Sequence, residues 1–328
     1  MSSTAHVPTP RSGPYPAGRR RRVGAVLFCL LVALGSAAGV WLTYRVFVRT
    51  YTGQRVDQVV FEGSSYGRGR LWQVAEPVLD VVSVPYIALV LLAAVLIATL
   101  RRRWELAVQV AVLMGGANLT TQVLKYWVFD RPQLGISPGS ANALPSGHTT
   151  AAASVSAALV FVVPPRARPW AAVLGAVYTS ATGVSTLIGR WHRPSDVVAA
   201  ILVVLAWTGL ACALAALSRP AHRSVPGVRT GDGGDAPVDM SATAALALRD
   251  APARNTSRVL GGMLVLASVG AGVPAAIALR QVWLAPDAPA TAGELITGYI
   301  GGALGIVAAA CLAFAVLLAV RDAAGRAG

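Results

Sequence analysis

The chain repeats runs of about 20 apolar residues, the length at which a helix crosses the hydrocarbon core of a bilayer. Backbone groups in lipid have no water to bond, so several such runs dictate a helical bundle. Nothing in the pattern shows the period-two alternation that a transmembrane barrel needs. The runs fall at about 23–44, 79–100, 105–128, 148–164, 170–190, 196–217, 258–279 and 294–320. The expected fold is therefore all-α: a polytopic transmembrane bundle with a six-helix core over 23–217 and a two-helix hairpin over 258–320.

The segments between the runs are polar. Residues 1–22 are rich in Pro, Ser, Gly and Arg and read as a disordered basic tail. Residues 45–78 read as a polar loop, with Tyr66 and Trp72 as interfacial anchors. Residues 218–257, rich in Gly, Asp and Pro, read as a disordered linker, and 321–328 as a short tail. The basic flank and the small residues Ser36, Ala37 and Ala38 give the first run some features of a signal peptide. Its length favours an uncleaved anchor.

Only 13% of residues are charged, against about 25% in a soluble domain. The formal net charge is nevertheless +14. In a soluble chain that excess would point to nucleic acid. Here the arginines gather at the ends of apolar runs, so no nucleic-acid partner is expected. Placing the N-terminus inside puts 18 of the 28 basic residues on the inner face. The expectation is a multi-pass protein of the cell membrane with both termini cytoplasmic. On that topology the acceptor sequence Asn255-Thr256-Ser257 lies inside and is not glycosylated. Cys29, Cys212 and Cys311 lie within apolar runs and read as small buried hydrophobes. Gly298 with Gly302, and Gly301 with Gly305, allow close helix packing, either within the monomer or in a homo-oligomer.

Chemistry concentrates at the ends of runs. Lys125 is the only lysine in a chain that otherwise uses arginine. A compact point charge there, followed by Arg131 and Pro132, suits a phosphate. Asn118, Thr121, Gln122 and Lys125 share one helical face, and a polar stripe in a membrane helix faces the bundle interior. Pro145-Ser146-Gly147-His148 opens the next run. A helix start offers free N–H groups to an anion, Ser146 adds a hydroxyl, and Gly147 permits close approach. His192 and Asp196 are four residues apart and share a face if that turn is helical. A carboxylate on one ring nitrogen fixes the tautomer and raises the basicity of the other, as a histidine nucleophile requires. On the topology above, all three pieces face the extracytoplasmic side.

These residues resemble the type 2 phosphatidic acid phosphatase superfamily over about 79–217. Its first motif is Lys, six residues, Arg-Pro; the second is Pro-Ser-Gly-His; the third is Ser-Arg, five residues, His, three residues, Asp. The resemblance implies that His192 attacks phosphorus, that His148 protonates the leaving group and that Asp196 orients His192. It assigns Lys125, Arg131, Ser146 and the backbone at Gly147 to the phosphate oxygens. It implies no metal and no cofactor, a lipid phosphate as substrate, and the bilayer as setting. Polyprenyl pyrophosphate, phosphatidate and phosphatidylglycerophosphate are the candidate lipids.

Two departures stand out. Five residues, not six, separate Lys125 from Arg131. Thr186 occupies the arginine position of the third motif. Arg190, four residues on, is the expected substitute for that charge, and Arg193 adjoins His192. These departures keep open a noncatalytic lipid-phosphate binder or transporter. Retention of His148, His192 and Asp196 argues for an enzyme, since binding alone needs neither acid nor nucleophile.

Overall fold

The computed structural model describes residues 16–81, 92, 96, 104–137, 141–218, 240–285 and 289–326. Among them the chain forms nine helices and no strand. They are α1 (Pro16–Thr43), α2 (Tyr51–Gly63), α3 (Ser65–Val81), α4 (Trp104–Val123), α5 (Gly147–Val162), α6 (Arg168–Ile188), α7 (Pro194–Ser218), α8 (Met240–Leu284) and α9 (Ala292–Arg326). Six helical stretches are long and apolar enough to cross a membrane: Arg20–Val48, Trp104–Val128, Arg168–Ile188, Pro194–Ser218, Asn255–Leu284 and Ala292–Gly325. Gly147–Val162 is a shorter apolar helix. Most of the run expected at 79–100 lies outside the described residues.

Helices apolar all round are either deeply buried or lipid-facing. Here α7 is the buried one, enclosed by α1, α4, α5 and α9. Helices α1 and α8 instead expose Leu27, Leu31, Leu34, Val265, Leu266 and Val269, as a lipid-facing surface requires. All three cysteines are buried and none of them forms a disulfide.

The structure departs from expectation in two places. First, α1 begins at Pro16, inside the segment expected to be a disordered tail. Proline suits a first helical position, and the arginines that follow are good helix formers. Arg22 Nε donates to Ala216 O at 2.8 Å, and its Nη2 donates to Leu217 O. Both carbonyls are left over at the C-terminus of α7, where a cation is favoured. Likewise, α8 begins at Met240, within the expected linker, where Ala and Leu predominate.

Second, the expected polar loop over 45–78 is helical. Thr50 caps α2, its Oγ1 accepting from Gly53 N at 3.0 Å. Helix α2 buries Val56, Val59 and Val60 together with the polar Gln54 and Asp57. Those two polar positions are what make the segment look solvated in the sequence. Arg55 Nη2 donates to Val282 O and Ala285 O, both at 2.9 Å, tying α2 to the C-terminus of α8.

The C-terminal hairpin packs on the core. Helix α9 packs on α1, α2, α6, α7 and α8, and its Ile306, Ala310 and Phe314 enter the main core. The glycine pairs are used inside the chain. A Cβ on Gly302 would meet Val60 at 2.4 Å, and one on Gly301 would meet Ala278 at 2.9 Å.

The polarity of the bundle follows from these contacts. The starts of α5 and α7 lie at one end, with the ends of α4 and α6. Arg22 lies by the far end of α7, and Arg321 sits over Phe161 at the far end of α5, 5.0 Å from the ring centroid. The first and last helical turns of the protein therefore lie opposite the candidate site.

Close approach of α1 and α7 depends on Gly209, whose Cβ would fall 2.6 Å from Cys29 O. Gly209→Val should cost about 1–3 kcal/mol by overpacking. Thermal unfolding in detergent should show a midpoint several degrees lower, while Gly262→Val, in open space, leaves it in place.

Candidate active site

The end of α4 carries Lys125. Its last turn, Leu124–Val128, is a wide one, closed by Phe129 N donating to Leu124 O at 2.9 Å. In such a turn each residue advances less than the 100° of an α-helix. The phase between Lys125 and Arg131 is therefore set by this turn and by the extended Phe129. Asn142, which the sequence did not single out, pins the following loop: its Nδ2 contacts Lys125 O and Phe129 O, each at 3.2 Å. Asp130 accepts from Tyr44 Oη at 2.7 Å and pairs with Arg49 at 2.8 Å. Gln54 Nε2 donates to Pro132 O at 2.9 Å. The first motif is thus gripped from α1 and α2.

The polar stripe of α4 faces α5, as its spacing requires. Asn118 Nδ2 donates to Ser154 Oγ at 3.1 Å, and the Thr121 and Thr150 hydroxyls lie 2.9 Å apart. Lys125 and His192 both act electrostatically on His148. Ser146 caps α5, its Oγ accepting from Thr149 N at 3.3 Å. Its hydroxyl proton stays available to an anion. Only Gln122 Nε2, at 3.9 Å, would touch a Cβ on Gly147, so the backbone there is open to approach.

His192 and Asp196 are both buried, and Nδ1 lies 3.3 Å from Asp196 Oδ2. The same oxygen accepts from Arg193 N at 3.0 Å. Asp196 O accepts from Ser146 N at 2.9 Å, which locks the second motif to the third. The His148 and His192 rings stand 6.3 Å apart, centroid to centroid. Trp191 packs on His148 at 5.2 Å and on Trp72 at 6.2 Å, forming one wall. With Asp196 on Nδ1, Nε2 of His192 is left for a reacting atom.

Arg131 and Arg193 lie close enough to repel each other, and Arg131 also feels Asp57 and Asp196. Burial first, then the Arg193 charge, pull Arg131 below the ordinary arginine range. Arg190 sits just past α6 with φ 60°, exposed, its guanidinium 5.0 Å from the Phe61 ring centroid. Thr186 is buried and turned away, its Oγ1 donating to Gly183 O at 2.8 Å. Its carbonyl accepts from Trp191 N at 2.9 Å and His192 N at 3.3 Å, so Thr186 shapes the backbone under the histidine.

Sequence reasoning missed Asp57. It is 2% exposed, accepts from the Ser195 hydroxyl, and receives Ser195 N at 3.4 Å. Burial, and next the charge of Asp196, push its carboxyl up to about 7 against the pull of Ser195 and Arg193. A carboxyl raised this way binds its proton more tightly folded than unfolded. The contribution of Asp57 to stability is then greatest below the ordinary value of 3.8 and is lost as pH rises through about 7.

Residues 106–219 match the family model of the PAP2 superfamily. No curated protein and no solved structure matches the chain. The matched segment holds all three motifs. The family supports phosphatase activity on phosphate esters, and the six membrane-length helices support a multi-pass membrane protein.

Asp57→Asn removes the titration just described. Thermal unfolding in detergent across pH 3.8 to about 7 should show a shallower decline for the variant than for wild type. Parallel curves would mean that Asp57 is ionised throughout.

Proposed function

Starting from residues 106–219 as a segment of the PAP2 superfamily, we propose that the protein hydrolyses a phosphomonoester or pyrophosphate on a membrane lipid without a metal. The carrying observation is the buried His192–Asp196 pair beside His148. Nε2 of His192 attacks phosphorus while the bond from phosphorus to the leaving oxygen breaks. His148 gives that oxygen a proton. The N–P bond of the resulting phosphohistidine is then cleaved by water, whose proton returns to His148, and phosphate departs. Lys125, Arg131, the Ser146 hydroxyl and the backbone N–H groups at Gly147 and His148 hold the equatorial oxygens. Such donors act most strongly where charge develops in the transition state.

The substrate follows from setting. The site lies at the end of a bundle whose flanks expose leucine, valine and tryptophan. A phosphate carried on a lipid can reach it from the bilayer surface. The arginine distribution supports an orientation with this end outside and both termini in the cytoplasm. That orientation suits recycling of a polyprenyl pyrophosphate carrier in a bacterial envelope. A noncatalytic binder is the second reading, and it rests on Thr186 standing where the family pattern has arginine.

Phosphate release should be measured from polyprenyl pyrophosphate, phosphatidate and phosphatidylglycerophosphate in detergent with EDTA. Wild type should turn over at least one, His192→Ala none, and His148→Gln should be slower by about 100- to 10,000-fold. Lipid binding without release from any of them would favour the binder. For orientation, Tyr66, which is 57% exposed near the site end, is replaced by cysteine. A membrane-impermeant maleimide should label it on intact cells, and labelling only after lysis would invert the topology.

A further inference from the structure

We infer that Arg193, held by Gln58 and Ser137, is a direct ligand of the phosphate oxyanion, taking the part that the family pattern gives to an arginine at position 186. The inference rests on the phosphatase reading and deepens it.

Several observations converge. Arg193 is 7% exposed, a cost that a guanidinium bears only when its charge and donors are met. One nitrogen is met: Nη2 donates to Gln58 Oε1 at 3.0 Å and reaches Ser137 Oγ at 3.4 Å. The aliphatic part and cation rest against Phe61, with Cζ 5.1 Å from the ring centroid. Nε is buried and has no hydrogen-bond partner, and neither does Nη2 of the neighbouring Arg131. Two like-charged guanidinium groups thus sit together, each with an unused buried donor. A tetrahedral oxyanion between them relieves the repulsion and fills both donors, and guanidinium suits such oxygens well.

Position supports the same reading. Arg193 follows His192 directly, and its own N–H donates to the carboxylate that orients His192. The cation and the nucleophile therefore move as one turn of chain. Arg190 has no such anchor. It is exposed, resting against the same phenylalanine, where water screens its charge. Thr186 cannot contribute charge and is committed to Gly183 O. Gln58 lies one residue from Asp57 on α2, outside the segment that matches the family. The anchor of Arg193 is thus supplied by a part of the chain that carries none of the motifs.

The test uses the full-length protein in detergent, with inorganic phosphate as competitive inhibitor of lipid-phosphate hydrolysis and, separately, as ligand in titration calorimetry. Arg193→Gln should weaken phosphate binding by about 10- to 100-fold and lower kcat/KM for the lipid phosphate by at least as much. Arg190→Gln should stay within about twofold of wild type in both. Arg193→Lys keeps the charge and loses the fork, and should fall between. If Arg193→Gln does not fold, Arg193→Lys and Gln58→Ala decide, each with an expected loss of about fivefold or more. Phosphate binding unchanged in the folded Arg193 variants, or lost instead in Arg190→Gln, overturns the inference. Arg193-dependent phosphate binding by a wild type that releases no phosphate from lipid sustains the ligand and overturns the catalytic reading. Turnover with binding indifferent to Arg193 does the reverse.

Discussion

A carboxylate taken out of water must be surrounded by donors, and the site is organised around one that is. Asp196 is 2% exposed. Its Oδ2 takes the His192 ring and the Arg193 backbone, and its carbonyl takes Ser146 N. Through these bonds one residue at the start of α7 holds the His192 ring, the backbone of Arg193 and the cap of α5. Removing the carboxylate would loosen the His192 ring and the Arg193 backbone together, because they share one oxygen, while the backbone bond to Ser146 would remain.

The second buried carboxylate, Asp57, lies behind the first. Two acids this close cannot both hold full charge cheaply. The structure meets the conflict with Ser195, which donates to Asp57 from its hydroxyl and its backbone, and with the positive charge of Arg193, which acts on both carboxylates. Helix α2 thus serves the site from outside the motifs. Gln54 holds the backbone at Pro132, Asp57 the start of α7, and Gln58 the arginine that follows His192.

The membrane helices were legible because length and apolar run decide them. Helix α5 starts where Ser146 can cap it, and α4 turns its polar stripe inward because lipid leaves it no alternative. The proximity of His148, His192 and Asp196 was legible from motif order. Helix α2 was not. Gln54 and Asp57 look like solvated residues until partners some 80 and 140 positions away enclose them, and no local pattern reports such partners. The role of α9 was hidden for a related reason. Its small residues signal close packing but do not say against what, and the answer is α2 and α8. Nor does spacing separate Arg190 from Arg193; burial does.

A chain cut down to 106–219 would retain every motif residue. It would also lose Gln58, which holds Arg193 from α2, and the aromatic and aliphatic filling that α9 presses against α6 and α7. The recognisable unit and the autonomous unit are therefore different pieces of this protein. Inheritance is read in the shorter piece, while the ability to stand as a folded object belongs to nearly the whole length. A new terminus introduced by proteolysis or gene fusion inside α2 or α9 would be felt at the histidines, although no residue there had been touched.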